Sequence, residues 1–443
     1  MKSFPVIGKT FHSIEKFLDF FYTFQSNEKF LPKGRPMIDR PHYLAQLRRW
    51  KDRDLIKVVT GVRRCGKSTL LRLFATELEK EGVPPNRIIT INLEQLENER
   101  LIDYRALHDE VLSRAQPNAM NYVFIDEVQN APDFQKAVDS LYTRPNIDLY
   151  LTGSNALLLG GTLATLLSGR YVEVKMTPLS FSEYRTASAQ AKEALSPQRL
   201  YDRYIRNGAF PATFDFASDD LSLHDYLEGI LSTVLFKDVA QRLNIANSLA
   251  LDALASFMFD NVGNLASAKR ISDAMTSQGL RIAPNTVAEY LSGLVNSYIF
   301  YPVKRYDIRG KRLLKLHEKY YAVDMGLRRM ALSGQLRDTG RVLENVVYLE
   351  LMRRESSVCI GRIGEAEIDF VTEGPEGRAY YQVAETVADA GTLARELAPL
   401  QALRDNQPKL LITLDDVSPR SHEGIWQVNA LDWLTDSTGG HLA

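Results

Sequence analysis

Residues 61–69 read Gly-Val-Arg-Arg-Cys-Gly-Lys-Ser-Thr, which fills the pattern G-x-x-x-x-G-K-[ST] with Gly61, Gly66, Lys67 and Ser68. Residues 55–60 before it form an apolar strand candidate, and residues 68–74 after it have helical character without a breaker. Strand, tight turn and helix in this order constrain the fold strongly. The backbone must curl so that its N–H groups converge, which two glycines at this spacing permit. A triphosphate fits such a loop. Lys67 is placed for the β- and γ-phosphates, Ser68 for Mg²⁺, and the following helix directs its positive end at the anion. Arg63, Arg64, Cys65 and Thr69 complete the expected ATP-binding loop. The two arginines are expected either at the nucleotide or facing a partner subunit. Cys65 could make binding oxidation-sensitive, or simply be a small residue that fits.

Residues 122–127, Tyr-Val-Phe-Ile-Asp-Glu, form an apolar strand ending in two carboxylates. Asp126 is expected in the Mg²⁺ shell, and Glu127 orients or deprotonates the attacking water. Residues 146–155 repeat the design: an apolar strand ends in Thr152-Gly153-Ser154-Asn155. Ligands of open α/β sheets sit at that end, so Ser154 or Asn155 is a candidate for the γ-phosphate or the water. Arg170, in Ser168-Gly169-Arg170-Tyr171, is a candidate γ-phosphate sensor or arginine finger. As an intersubunit finger it would require a nucleotide-dependent ring or filament.

Strand candidates at 55–60, 87–92, 122–125, 147–152 and 171–175 alternate with helical stretches such as 68–79 and 104–114. This alternation predicts an α/β fold with a doubly wound parallel sheet over residues 37–177. Residues 178–247 read as a helical lid. Residues 248–335 carry three helices, at 254–260, 267–276 and 286–296, then strands at 299–306 and 311–322. That is the pattern of a winged helix-turn-helix. Thr286 lies at the N-terminal end of the third helix. The hairpin carries Lys304, Arg305, Arg309, Lys311, Arg312, Lys315 and Lys319 against Asp307 and Glu318, with tyrosines between them. Such a patch suits the phosphates of double-stranded DNA, and a protein-docking module is the competing reading.

The local patch matters because the whole chain has none of that character. Its 443 residues carry a formal net charge of −1, which gives no overall attraction to nucleic acid. The two cysteines, Cys65 and Cys359, do not form a disulfide framework, and a reducing cytoplasm is expected. No apolar run reaches the length of a membrane span, so no membrane partner is expected. Residues 1–36 precede a plausible start at Met37 and read as an extension, either an amphipathic docking helix or disorder.

Residues 338–443 form a last α/β unit. A helix at 342–354 carries Glu344, and strands are expected at 366–371, 379–384 and 409–414. A helical Glu, a strand Asp and an acidic or amide residue on the next strand could converge on a divalent metal.

The motifs at 60–68, 124–129, 151–155, 168–171 and 178–181 together resemble a prokaryotic family of AAA-like P-loop ATPases, over about residues 37–440. The resemblance implies ATP and Mg²⁺ as ligands and a C-terminal domain similar to a restriction-endonuclease fold. That fold's helical Glu, strand Asp and Glu/Gln-x-Lys are matched by Glu344, Asp369 and Gln382, whereas its lysine position holds Ala384. The departure implies a degenerate site. Three functions are therefore expected in competition. They are an ATP hydrolase coupled to a DNA-binding tail, a slow nucleotide switch for a protein partner, and an ATP-gated nuclease, which the missing lysine disfavours.

Overall fold

Strands β1 (Ile56–Thr60), β2 (Ile88–Asn92), β3 (Asn121–Asp126), β4 (Ile147–Gly153) and β5 (Tyr171–Lys175) form one sheet in the order β2-β3-β4-β1-β5. Every pairing in it is parallel. The computed structural model describes residues 37–156, 167, 169–191, 193–216, 219–245, 247–334, 338–355, 357–374 and 377–436. The expected N-terminal extension and Ser168 lie outside the described residues, as does the side chain of Lys315. β1, β3 and β4 are buried almost throughout, which accounts for their near-continuous apolar sequences.

Helix α1 (Pro41–Trp50) starts on a proline, whose fixed φ suits the first helical turn. Helices α2 (Lys67–Lys80), α3 (Tyr104–Arg114) and α4 (Phe134–Tyr142) complete the expected α/β alternation. The paired strands and helices form a P-loop-type parallel α/β sheet.

The helical stretch expected as a lid begins at Pro178-Leu179-Ser180. Helix α5 (Phe181–Gln190) opens with a capping box: Ser180 Oγ accepts from Glu183 N–H at 3.1 Å, and Glu183 accepts from Ser180 N–H at 2.8 Å. Helices α6 (Pro197–Asn207) and α7 (Asp220–Thr233) follow. α7 runs into a π-helical turn, Val234–Ala240, before ending in a short helical stretch at Gln241–Leu243. The break expected at Gly208-Ala209 is a docking turn: Ala209 N–H donates to Asp324 Oδ2 at 2.6 Å.

Helices α8 (Ser248–Asp260), α9 (Ala268–Ser277) and α10 (Pro284–Asn296) precede the hairpin of β7 (Phe300–Asp307) and β8 (Arg312–Ala322). A two-residue strand, β6 (Leu265–Ala266), pairs antiparallel with β8. Three helices and a hairpin were expected; the hairpin's surroundings were not. It does not stand free. β7 pairs in parallel with β9 (Ser357–Ile363), and one nine-stranded sheet runs from β6 through the hairpin into β10 (Ala366–Gly374), β11 (Gly377–Ala384), β12 (Lys409–Thr413), β14 (Ile425–Asn429) and β13 (Arg420–His422). The division expected between residues 335 and 338 thus cuts across a continuous sheet. Helix α11 (Met325–Ala331) follows β8, and α12 (Thr339–Arg354) packs across β11. The largest apolar cluster spans both sheets, running from Tyr43 to Leu434, and two further clusters, from Ile56 to Leu167 and from Ile363 to Ile425, lie apart from it.

Candidate active site

Because β1, β3 and β4 are adjacent and parallel, their C-terminal ends place three loops side by side. The loop after β1 starts at Gly61, whose φ is +147° and where an added Cβ would stand 2.1 Å from Met176 O. Only glycine allows the chain to turn there. Gly66, at φ +105°, caps α2. Cys65 is fully buried between them, and burial pushes its thiol above the ordinary value. A buried protonated thiol is unreactive, which leaves Cys65 as packing rather than a redox sensor.

Lys67 and Glu127 meet in this pocket. Lys67 Nζ donates to Gly61 O at 3.1 Å and Val62 O at 3.3 Å, and stands 3.5 Å from Glu127 Oε1. Burial penalises the ammonium, but the carboxylates around it, Glu127 foremost, outweigh burial and hold Lys67 above its usual value. Burial likewise penalises the Glu127 carboxylate, yet Lys67 and then Arg63 hold it below the usual carboxylate range. Both groups are therefore charged. Glu127 sits in the left-handed region at φ +51°, and its N–H donates to Thr152 Oγ1 at 2.8 Å. Gln129 Nε2 donates to its Oε2.

Asp126 is buried beside it and accepts from Thr152 Oγ1 and, at 3.2 Å, from Asn92 Nδ2. Burial and the neighbouring Glu127 raise its pKa, while hydrogen bonds from Thr152 and Ser68 oppose the rise. Ser68 and Asp126 are thus brought together. Among the described residues no three His, Cys, Asp or Glu side chains form a metal cage. A hydroxyl and one carboxylate suit Mg²⁺, which keeps several waters and takes its remaining ligands from phosphates. Ser154 and Asn155 are buried at the end of β4, and Gln129 Nε2 reaches Ser154 Oγ at 3.4 Å. Thr69 is half-buried in the first turn of α2, and Arg64 is exposed at φ +66°.

Other side chains fall elsewhere. Arg170 precedes β5, and its carbonyl accepts from Ile56 N–H at 2.8 Å, at the start of β1. It lies at the end of the sheet opposite the loop, 45% exposed, and pairs with Asp139 at 2.6 Å. It does not reach the phosphate loop of its own chain. A cavity of about 410 Å³ also opens at that opposite end, lined by Asp52, Asp54, Tyr142 and Arg144. Ligands of parallel sheets bind at the other end.

Two arginines invisible to motif reading tie the loop to the rest of the molecule. Buried Arg40 donates to Cys65 O at 3.0 Å, Thr177 O at 2.7 Å and Glu183 Oε1 at 2.9 Å. From α12, Arg353 donates to Thr177 Oγ1 at 2.9 Å and Pro178 O at 3.2 Å. The start of the lid is thereby held from both sides.

In the C-terminal part, Glu344, Asp369 and Gln382 do share one cluster. Tyr321 O–H and Lys319 Nζ donate to Glu344 at 2.6 and 3.1 Å, and Lys319 also pairs with Glu367 at 2.8 Å. Asp369 sits at a bulge in β10 and accepts from Val383 N–H at 2.9 Å. Gln382 donates to Glu396 at 2.9 Å. Burial, then Glu344, raise Asp369 well above the usual carboxylate range. Lys319 of β8 joins this cluster, its charge stabilised by Glu344, Asp369 and Glu367 against burial.

On the hairpin, Lys304, Arg309, Lys311 and Arg312 are exposed. Arg305 is turned inward, 3.9 Å from Glu367, so it is part of the sheet's ion pairs rather than of the outer patch. Thr286 is half-buried, and the only charged residue on α10 is Glu289. The tip of the hairpin, not the helix, carries the positive charge.

Residues 53–185 match the family described as AAA domain, and residues 198–338 match a domain of unknown function, DUF8612. The second match spans lid, helices and hairpin. An uncharacterised protein of Haemophilus influenzae is 37% identical over 403 residues, 90% of this chain and 99% of its own. Another, from Methanocaldococcus jannaschii, is 28% identical over 82% of each chain. The Walker-type ATPase of Pyrococcus abyssi superposes over 67% of this chain and 96% of its own, at 16% identity and a TM-score of 0.48. The AAA match falls on the strands and loops that build the phosphate site, and the Haemophilus likeness runs through nearly the whole chain; the chain belongs to the AAA-type P-loop ATPase family.

Proposed function

We propose that this protein binds Mg²⁺-ATP in the loop at 61–69, hydrolyses it, and transmits the nucleotide state to the hairpin, which contacts duplex DNA. The observation that supports hydrolysis is the convergence of Lys67, Ser68, Asp126 and Glu127 beyond the ends of β1 and β3, the two strands that flank β4. On binding, the γ-phosphate takes Lys67 from its carbonyl partners and from Glu127. Ser68 and Asp126 would hold Mg²⁺, which supplies neutralisation of the phosphate charge. Glu127, released from Lys67, accepts the proton of a water whose oxygen attacks the γ-phosphorus. The bond to the bridging oxygen breaks, and ADP and phosphate leave.

A nucleotide switch with slow turnover is the second reading. It is favoured by the engagement of both Glu127 oxygens, one by Lys67 and one by Gln129. A base held this way works only after rearrangement.

DNA contact is read from Lys304, Arg309, Lys311 and Arg312, which are exposed. The test is turnover with and without duplex DNA, alongside DNA affinity of an Arg309→Glu/Arg312→Glu variant across a salt series. Each lost phosphate contact should lower the salt slope by about 1. Unchanged affinity and slope would move the hairpin to a protein-docking role. Turnover raised by no DNA would favour the switch.

A further inference from the structure

The phosphate loop is latched to the lid by one buried carboxylate. Arg63 Nε donates to Asp238 Oδ2 at 2.7 Å, and Arg63 also pairs with Glu94 at 3.1 Å. The Asp238 side chain is 1% exposed and sits in the π-helical turn Val234–Ala240. Its other oxygen is buried and has no hydrogen-bond partner among the described residues, with Arg242 only at 3.8 Å. Such turns recur at functional sites, and an unsatisfied buried oxygen in a native fold calls for an explanation. Arg63 is also within electrostatic reach of Glu127 and Lys67. It therefore stands between the phosphate site and the lid.

The π-turn is in turn the seat of α10. A Cβ at Gly293 would lie 2.7 Å from Val239 Cγ1 and 2.8 Å from Leu243 Cδ1. The side chains of Val239 and Leu243 thus pack directly on the backbone of α10 at Gly293, with no side chain of the helix intervening there. A change in the turn must reach α10, and β7 follows it after a three-residue link.

We propose that Asp238 is the residue through which the lid senses nucleotide: it holds Arg63 in the empty site, and incoming phosphates take Arg63 from it, releasing the π-turn against which α10 rests. The proposal rests on the ATP-binding reading above. An arginine pairs with a carboxylate or a phosphate through the same donors, so the two acceptors compete. Once Arg63 leaves, Asp238 is a buried carboxylate short of partners. That state is costly unless the turn rearranges toward Arg242 or solvent. The lid thus answers to phosphate through a defined pair of contacts.

Binding of a fluorescent non-hydrolysable ATP analogue with Mg²⁺, measured on the full chain, tests this directly. Asp238→Asn removes the competitor and should bind the analogue on the order of tenfold more tightly than wild type. Arg63→Ala should abolish that gain, so that Arg63→Ala and the double variant bind alike. Hydrogen exchange gives a second readout: residues 234–243 should exchange faster when wild type binds the analogue, and should already do so without it in Arg63→Ala. If Asp238→Asn fails to fold, the exchange of Arg63→Ala alone decides. Equal or weaker binding by Asp238→Asn, or an exchange pattern unmoved by Arg63→Ala, overturns the latch while leaving ATP binding intact. Failure of wild type to bind the analogue overturns the underlying reading instead.

Discussion

Lys67 Nζ stands 3.5 Å from Glu127 Oε1, so the lysine proposed to meet phosphate and the carboxylate proposed to meet the attacking water neutralise each other. Both are nearly excluded from solvent, at 3% and 8% side-chain exposure. A buried pair of this kind exposes neither charge until a third charged group enters, and a triphosphate with Mg²⁺ is such a group. Lys67→Ala should weaken ATP-analogue binding by roughly 10- to 100-fold, the worth of a charge-assisted hydrogen bond or two. A fluorescence titration checks this; affinity within a factor of two of wild type would remove Lys67 from the phosphate site.

Arg353 holds the start of the lid against α12 through Thr177 and Pro178, and it is buried against Glu350 at 2.9 Å. Arg353→Ala leaves Glu350 with one partner fewer and the 177–179 backbone unsupported. A stability loss of about 3–5 kcal/mol is expected by chemical denaturation, as for one partner removed from a buried pair. Its effect should spread to the lid, seen as faster proteolysis around residues 178–216.

Lys319 neutralises Glu344 and Glu367 and lies within the field of Asp369. Lys319→Ala should be destabilising by about 3–5 kcal/mol at pH 7. The loss should shrink on acidification, because the carboxyls left behind can then take up protons. A melting series from pH 7.5 to 5 reads this out; a loss that grows at low pH would contradict the cluster as described.

Asp324 anchors the lid turn at Ala209, and burial pushes its carboxyl up to about 6 against backbone hydrogen bonds that lower it. A carboxyl with a raised folded pKa binds more protons folded than unfolded, so its contribution to stability grows as pH falls from 7 through 6. Between pH 7 and 5 the gain is about 1 kcal/mol relative to Asp324→Asn. Denaturation of both proteins at the two pH values measures it, and equal pH dependence in the two would contradict the assignment.

The nucleotide core was legible because its signals are local. A strand, two glycines and a lysine within fifteen residues define the loop, and Asp126-Glu127 end a strand that can only be buried. What sequence hid was set by distance along the chain. Which end of the sheet holds Arg170 depends on its place before β5, and a Gly-Arg next to a strand looks the same at either end. Arg305 and Lys319 read as part of a basic patch for DNA phosphates, yet both pair with Glu367, far along the chain, once β7 joins β9. Arg40, Asp238 and Arg353 carry no motif, and their partners lie 25 to 176 residues away.

The most direct measurement is phosphate release from Mg²⁺-ATP by wild type and Glu127→Gln, with analogue binding measured on the same samples. Glu127→Gln keeps the size of the side chain and its contact with Gln129 but cannot accept a proton. The account predicts that wild type turns over, that the variant binds at least as well, and that its rate falls about 100- to 10,000-fold, the usual range for a lost general base. Equal rates in the two proteins, with binding intact, would contradict the role of Glu127 and with it the catalytic reading of this site.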